Sequence, residues 1–370
     1  MSAQPATFLS SIQIGRALAA MAVALQHTIR DADRYYPRYT SEDPGIASDP
    51  AGWVELLGAG VDVFFVISGV VMVMSTWNGH GTIRGFLYRR ITRIYPLYWV
   101  LTLAFMAVLV VAPGLFSQMR LEPAHAVCSL LLIPCTDPNG VAIPYIYAGW
   151  TLTYELVFYG LFAVSLLAGT RWSRLFVCIG LVLVYHSLYY TPLRAIPAIE
   201  HSASPIMLEF IFGLLLGYAW FYIDFKHRWA LPLLIVGCAL LLVSHTGNWV
   251  ELPRFLRWGV PAVLIVAGLM CANQRSSNPG IAYRTLVYLG AASYAIYLFH
   301  FISLKLFYVV SGKLGILAHL PPVAGILCAM VVTVIASIAL HEMCEKPLTR
   351  ISKWLWTRRT RHTLTPGSTS

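Results

Sequence analysis

GAGVDVFFVISGVVMVMST, residues 58–76, holds one carboxylate and no cation in its nineteen residues. A helix of about 20 mostly apolar residues crosses the ~30 Å hydrocarbon core of a bilayer, so this stretch reads as a membrane span. Nine others of similar character follow from the same reading: 12–29, 95–113, 150–169, 175–190, 206–223, 231–245, 258–272, 286–309 and 321–343. Ten spans use roughly 200 residues, which leaves loops but no large soluble domain. The composition agrees. Of 370 residues, 58% are apolar and 11% charged, with a mean hydropathy of +0.68. Soluble domains run about 45–50% apolar and about 25% charged, so an ordinary soluble enzyme, a disordered chain and a disulfide scaffold are all excluded. The expected fold is an all-α polytopic membrane protein, with residues 1–345 as one transmembrane domain and 346–370 as a basic cytoplasmic tail lying on an anionic leaflet.

The net charge of +10 reads as topology rather than as nucleic-acid binding, because Lys and Arg gather on cytoplasmic loops. With the N-terminus inside, the inner loops and tail hold sixteen basic residues, among them Arg84, Arg89, Arg90, Arg93, Arg171, Arg174 and Arg275. The outer loops hold eight, and Arg16 and Lys305 lie within spans. This two-to-one excess predicts both termini in the cytoplasm. The apolar piece 124–134, bounded by Pro123 and Pro134, is too short to span and is expected to be interfacial or re-entrant. Counting it as a span would put the basic tail outside. Residues 30–57 read as a polar outer loop. The N-terminus lacks a basic, cleavable leader, so the first apolar stretch is expected to stay. Seven cysteines show no metal or redox spacing. Cys128 and Cys135 could pair outside the membrane, though free buried thiols are the simpler expectation. No internal repeat of the transporter kind is visible.

Ionisable residues inside spans are costly and are the natural candidates for function. Arg16 and His27 are eleven residues apart, which is about 20° past three full turns and about 16 Å along a helix, so they share one face. His300, about fourteen residues up its span from the inner end, reaches a similar depth of about 21 Å. Asp62, Glu155 and Glu209 each lie near the outer start of a span, where they could equally complement a helix dipole. Arg84, Arg89, Arg90 and Arg93 gather at the inner end, and Arg89 and Arg93 are one turn apart if helical. A cluster of arginines suits a polyanionic phosphate ligand. An imidazole with nearby carboxylates suits removal of a hydroxyl proton. Lys305 is long enough to snorkel outward, and His186, His201 and His245 find no assignable partner.

Six motifs in order resemble the acyltransferase-3 family, in particular its exopolysaccharide O-acetyltransferase branch. They are the Arg16-to-His27 spacing in IQIGRALAAMAVALQHT, GVDVFFVISGVVM (Gly60–Met72), FLYRRITRIYPLYW (Phe86–Trp99), GWTLTYELVFY (Gly149–Tyr159), SYAIYLFH (Ser293–His300) and CEKP (Cys344–Pro347). The likeness runs over about residues 10–350. Thr153-Tyr154 replaces the Ser-Val of many members. The resemblance implies an inner-membrane O-acetyltransferase that takes an acyl group from cytoplasmic acyl-coenzyme A to a saccharide hydroxyl, with no metal. It makes His27 and Arg16 essential, Arg90 and Arg93 (with Arg89 beside them) coenzyme A contacts, and Trp150 and Glu155 a site motif. Glu155 would then fix the His27 tautomer or hold sugar hydroxyls. Asp62, Trp150, His300 and Glu209 would line the acceptor site. Ser68 reads as a packing position rather than a nucleophile. No esterase-like domain follows the helices, so a single transfer unit is expected. Polysaccharide-assembly proteins are candidate partners, and a polysaccharide or lipid-linked sugar transporter is the rival reading.

Overall fold

The structure, a computed structural model, describes residues 6–47, 52–78, 82–112, 119–136, 140, 142–272 and 280–362. Arg275 and the end of the tail, 363–370, lie outside them. All regular structure among the described residues is helical. The α-helices are α1 (Ala6–Tyr39), α2 (Trp53–Leu56), α3 (Gly60–Thr76), α4 (Ile83–Val111), α5 (Pro123–Leu131), α6 (Gly149–Ser165), α7 (Arg171–Ser187), α8 (Pro197–Ser202), α9 (Leu208–Tyr222), α10 (Ala230–Val243), α11 (Val260–Cys271), α12 (Ile281–Ala291), α13 (Ser293–Lys313), α14 (Pro322–Leu340) and α15 (Lys346–His362). Among the described residues, six helical stretches are long and apolar enough to cross a membrane, and His227–Val243 and Phe255–Cys271 are apolar but shorter.

Several boundaries move from their expected places. α1 runs twelve residues past His27, so the predicted loop 30–57 starts only after Tyr39. Its extension is fixed by Tyr36, whose hydroxyl donates to Leu320 O (3.1 Å), and by Tyr35 stacked on Tyr308 at 5.8 Å. The predicted span 286–309 is two helices, α12 and α13, broken at Ala292. The basic run 84–93 lies inside α4 rather than in a loop. Thr82 caps that helix by accepting from Gly85 N (3.1 Å), which satisfies one of the orphan amides of a helix start.

α5 explains the next shift. It stops beside the middle of α4, where Tyr98 donates to Ser129 O (2.6 Å), Trp99 to Leu130 O (2.9 Å) and Tyr95 to Leu131 O (3.0 Å). A helix that ends against apolar surroundings must find partners for its last carbonyls, and three aromatic side chains of α4 supply them. Cys128 and Cys135 form a disulfide across this helix end, correcting the expectation of free thiols there. Cys178 and Cys271 are free and buried.

α1 packs against α3, α12, α13 and α14 through small residues. Ala17, Ala20, Ala24 and Ala32 are fully buried, and such residues let helix backbones approach closely where lipid supplies no hydrophobic drive. α3 and α9 meet still more closely. A Cβ on Gly213 would fall 2.2 Å from Val66 O and 2.8 Å from Gly69 Cα. Gly213→Val is therefore expected to force α3 and α9 apart, at an overpacking cost of about 1–3 kcal/mol or more. The check is the monodisperse yield and the melting temperature in detergent, and an unchanged melt would contradict the packing. At the basic end, α14 continues through a π-helical turn, His341–Glu345, into α15. Tyr88 of α4 holds α15 by donating to Ser352 O (2.6 Å) and stacking on Trp356 at 4.4 Å.

Candidate active site

Helices α1, α3, α6 and α13 line two adjoining cavities, and α4 borders the first of them as well. The first, about 70 Å³, is lined by Arg16, Ser68, Arg90, Arg93, Glu155 and Tyr159, with mostly apolar walls otherwise. Arg90 is nearly buried. Its Nη2 donates to Ser75 Oγ (2.9 Å), and its guanidinium lies over the rings of Phe86 and Tyr159 at 5.5 and 5.7 Å. Arg93 is exposed at the mouth of the cavity. Among the described residues neither Arg16 nor Arg93 has an ion-pair or hydrogen-bond partner. Arg89 is exposed and does not line the cavity, folding back along α4 toward Gly85. Two unpaired guanidinium groups beside a third, on one cavity, make a site for an anion.

Glu155 belongs to this arginine cavity and not to the histidine. Its carboxylate accepts from Ser68 Oγ (2.6 Å) and Tyr159 Oη (3.0 Å), and Arg16 and Arg90 feel its charge. Neither role expected for it beside His27 is supported by a contact there. The reason is α5. Because that segment dips alongside α4, α6 starts at the level of Tyr98, whose ring would lie 3.1 Å from a Cβ on Gly149. Six residues further, Glu155 has descended to the arginines. Ser68, read as a packing position, is in fact bonded to it.

The second cavity, about 140 Å³, is lined by His27, Arg30, Glu55, Trp150, Arg254 and His300, with Gln26, Tyr147 and Trp258 beside them. His27 is half-buried, its ring centroid 5.1 Å from that of His300 and 5.7 Å from that of Tyr147. His300 Nδ1 lies 2.6 Å from Tyr297 O. A carbonyl can only accept, so Nδ1 carries the proton, and Nε2 of the neutral ring is left as an acceptor. Among the described residues Nε2 has no partner. Trp150 lines the cavity while its carbonyl accepts from His201 Nε2 (3.0 Å), which gives His201 a place.

Asp62 is fully buried and bound by Arg254, with Nε to Oδ1 at 3.0 Å and Nη2 to Oδ2 at 2.8 Å. It serves as the counter-ion of a cavity-lining arginine and does not itself line the cavity. Glu209 lies behind it, also fully buried and outside the lining. Arg254 is the main residue the sequence reading missed, having been counted only as an outer-loop charge. Its guanidinium covers Trp258 at 4.6 Å. Arg30, paired with Glu55, was also counted only as a loop charge. Among the described residues, no group of three or more His, Cys, Asp or Glu converges as metal ligands would.

An apolar helical bundle with a cationic cavity below and an imidazole-lined one above has the make-up of a membrane-bound transferase. The chain belongs to the acyltransferase-3 family of acyl-transferring enzymes, whose acyltransferase domain matches residues 9–342. It is 34% identical over 298 residues to the exopolysaccharide production protein ExoZ of Rhizobium meliloti (strain 1021), covering 79% of this chain and 89% of that protein. It is 26% identical over 326 residues to the acyltransferase MdmB of Streptomyces mycarofaciens, covering 79% of this chain and 80% of that one. No solved structure matches it.

Proposed function

We infer that this enzyme is an inner-membrane O-acyltransferase that carries an acyl group, in the simplest case acetyl, from cytoplasmic acyl-coenzyme A to a hydroxyl of a saccharide at the outer face. The observation that carries this reading is the pair of unpaired guanidinium groups, Arg16 and Arg93, facing one cavity with Arg90. Such a site suits the phosphates of coenzyme A, and its mostly apolar walls suit the pantetheine arm. ExoZ, named for exopolysaccharide production, supports a glycan as acceptor, as do the aromatic faces of Trp150, Trp258 and Tyr147 in the second cavity.

In this reading ten helices span the membrane with both termini in the cytoplasm, on the strength of the two-to-one basic excess. The Cys128–Cys135 disulfide supports the same orientation, because disulfides persist in oxidising compartments. It lies in the segment between α4 and α6, whose Tyr147 and Ala148 line the histidine cavity. Residues 346–370 form the basic cytoplasmic tail, with α15 laid along the leaflet.

His27 takes the proton of the acceptor hydroxyl as its oxygen attacks the thioester carbonyl. Coenzyme A leaves as the thiolate and recovers that proton. His300, with Nε2 free to accept, replaces Glu155 as the group that orients His27. Arg16 steadies negative charge on the donor side, and Glu155, held by Ser68 and Tyr159, partly balances the charge of Arg16 across the cavity. Asp62 and Glu209 act on the acceptor through Arg254.

Coenzyme A is expected to raise the melting temperature of the purified protein, since a ligand bound only by the folded state adds about 2.7 kcal/mol at 100 times its Kd. Arg90→Ala/Arg93→Ala should abolish that rise. A wild-type melt indifferent to coenzyme A would overturn the donor assignment and favour a transporter. Mass spectrometry of surface glycans from a deletion strain then reads acyl group and acceptor together.

A further inference from the structure

The two cavities share only two of their lining residues, Val61 and Tyr297. Each enclosing helix is divided at the same level. On α3, Val61 belongs to both cavities and Phe64 to Ser68 belong to the arginine side. On α6, Trp150 lies above and Thr151 below. On α13, Ser293 and Tyr294 lie below, His300 above, and Tyr297 on both. A waist therefore separates the arginines from His27.

α1 closes that waist on one side without a side chain. Between Arg16 and Val23 it presents Ala19 and Ala20, both buried, and a Cβ on Gly60 of α3 would fall 2.5 Å from Ala19 O. Nothing passes between backbones that close. Tyr297 and Val61 are the side chains left at the junction, each lining both cavities. The Tyr297 hydroxyl is 2.9 Å from Thr151 Oγ1, its carbonyl accepts from His300 Nδ1, and its ring meets Phe64 edge-on at 5.6 Å. The residue is nearly buried and borders both cavities, which puts its ring, clasped to Thr151, at the junction between them.

From this geometry we propose that Tyr297 is the specificity-determining residue that limits the size of the acyl group admitted from the donor cavity to His27. The inference rests on the two-substrate reading above and deepens it. A short acyl group passes beside the phenol, whereas each further methylene meets the ring. The same plug keeps water in the upper cavity away from a thioester waiting below, protecting it from hydrolysis. The Thr151 clasp holds the ring across the waist, so losing the hydroxyl loosens the seal and leaves the width unchanged.

The test compares wild type, Tyr297→Ala, Tyr297→Phe and Val61→Ala. Purified enzyme in vesicles is offered acetyl-, butyryl- or hexanoyl-coenzyme A with water as the only acceptor, and released thiol is measured. Surface glycans of cells carrying each variant are weighed by mass spectrometry. Tyr297→Ala is expected to raise the hexanoyl-to-acetyl ratio of thiol release at least about tenfold, the discrimination a single methylene commands in a fitted pocket, and to add heavier acyl increments to the glycans. Tyr297→Phe should raise thiol release without acceptor and keep the wild-type chain-length profile. Val61→Ala, at the other residue that lines both cavities, should shift the profile in the same direction as Tyr297→Ala, and it decides the matter if Tyr297→Ala does not accumulate. Wild-type glycans acylated normally, together with wild-type chain-length profiles in Tyr297→Ala or Val61→Ala, would overturn this inference alone. A wild-type enzyme that neither binds coenzyme A nor acylates glycans would overturn the acyl-transfer reading with it.

Discussion

His27→Ala is expected to cut acyl transfer to the glycan by at least about 100-fold, the lower range for loss of a positioned general base, while leaving stabilisation by coenzyme A intact. The two halves of that expectation come from separate places. His27 lines the upper cavity with His300 and Tyr147, whereas Arg16, Arg90 and Arg93 line the lower one. On the proposed mechanism, removing the imidazole takes away the group that accepts the hydroxyl proton and leaves the arginine cavity untouched. His300→Gln provides the internal control. Its amide can still meet Tyr297 O, so the loss should be smaller than in His27→Ala and should appear in kcat more than in the coenzyme A melt. Transfer is read in membranes given acetyl-coenzyme A and the native glycan. Wild-type transfer by His27→Ala would remove the residue from the chemistry, and lost coenzyme A stabilisation would mean that the two cavities do not act separately.

The helical class, and the shared face of Arg16 and His27, were legible in the sequence because hydrophobic length and a 3.6-residue period are local properties. Depth was not, wherever it depended on what a neighbouring segment does. Glu155 was placed by counting from the outer end of its span, but α6 begins deep because α5 folds down along α4. Nothing local to 150–169 signals that. His27 was placed near the outer end of its helix, yet α1 continues twelve residues beyond it, about 18 Å at 1.5 Å per residue. Arg89 was grouped with Arg90 and Arg93, but it is exposed and does not line the cavity that those two line. Asp62 looked like a ligand for substrate because its partner, Arg254, is 192 residues away and its loop offered no pattern to connect them. Pairing across such distances comes from packing, which a single sequence does not display.

That pairing makes the largest expected effect on stability. Arg254→Met should destabilise the enzyme by about 3–5 kcal/mol, the usual cost of removing one partner from a buried ion pair. The charges in this case add to it. Asp62 and Glu209 are both fully buried and lie side by side, with Arg254 as the cation they share. Without it, two carboxyl groups face each other in a medium that solvates neither. Arg254 is itself partly open to the upper cavity, 35% by its side chain, so water softens the Coulomb attraction and the lower end of the range is the better expectation. The cause can be separated from lost packing by a double-mutant cycle. Arg254→Met combined with Asp62→Leu should recover at least half of the loss, because no uncompensated charge pair then remains, and Arg254→Met combined with Glu209→Gln should recover a smaller part. Apparent melting temperatures in detergent, without ligand, are the measure, which keeps any role of Arg254 in acceptor binding out of the comparison. Strictly additive losses in both double variants would show that Arg254 stabilises through its stack on Trp258 and not through the carboxyl groups beneath it.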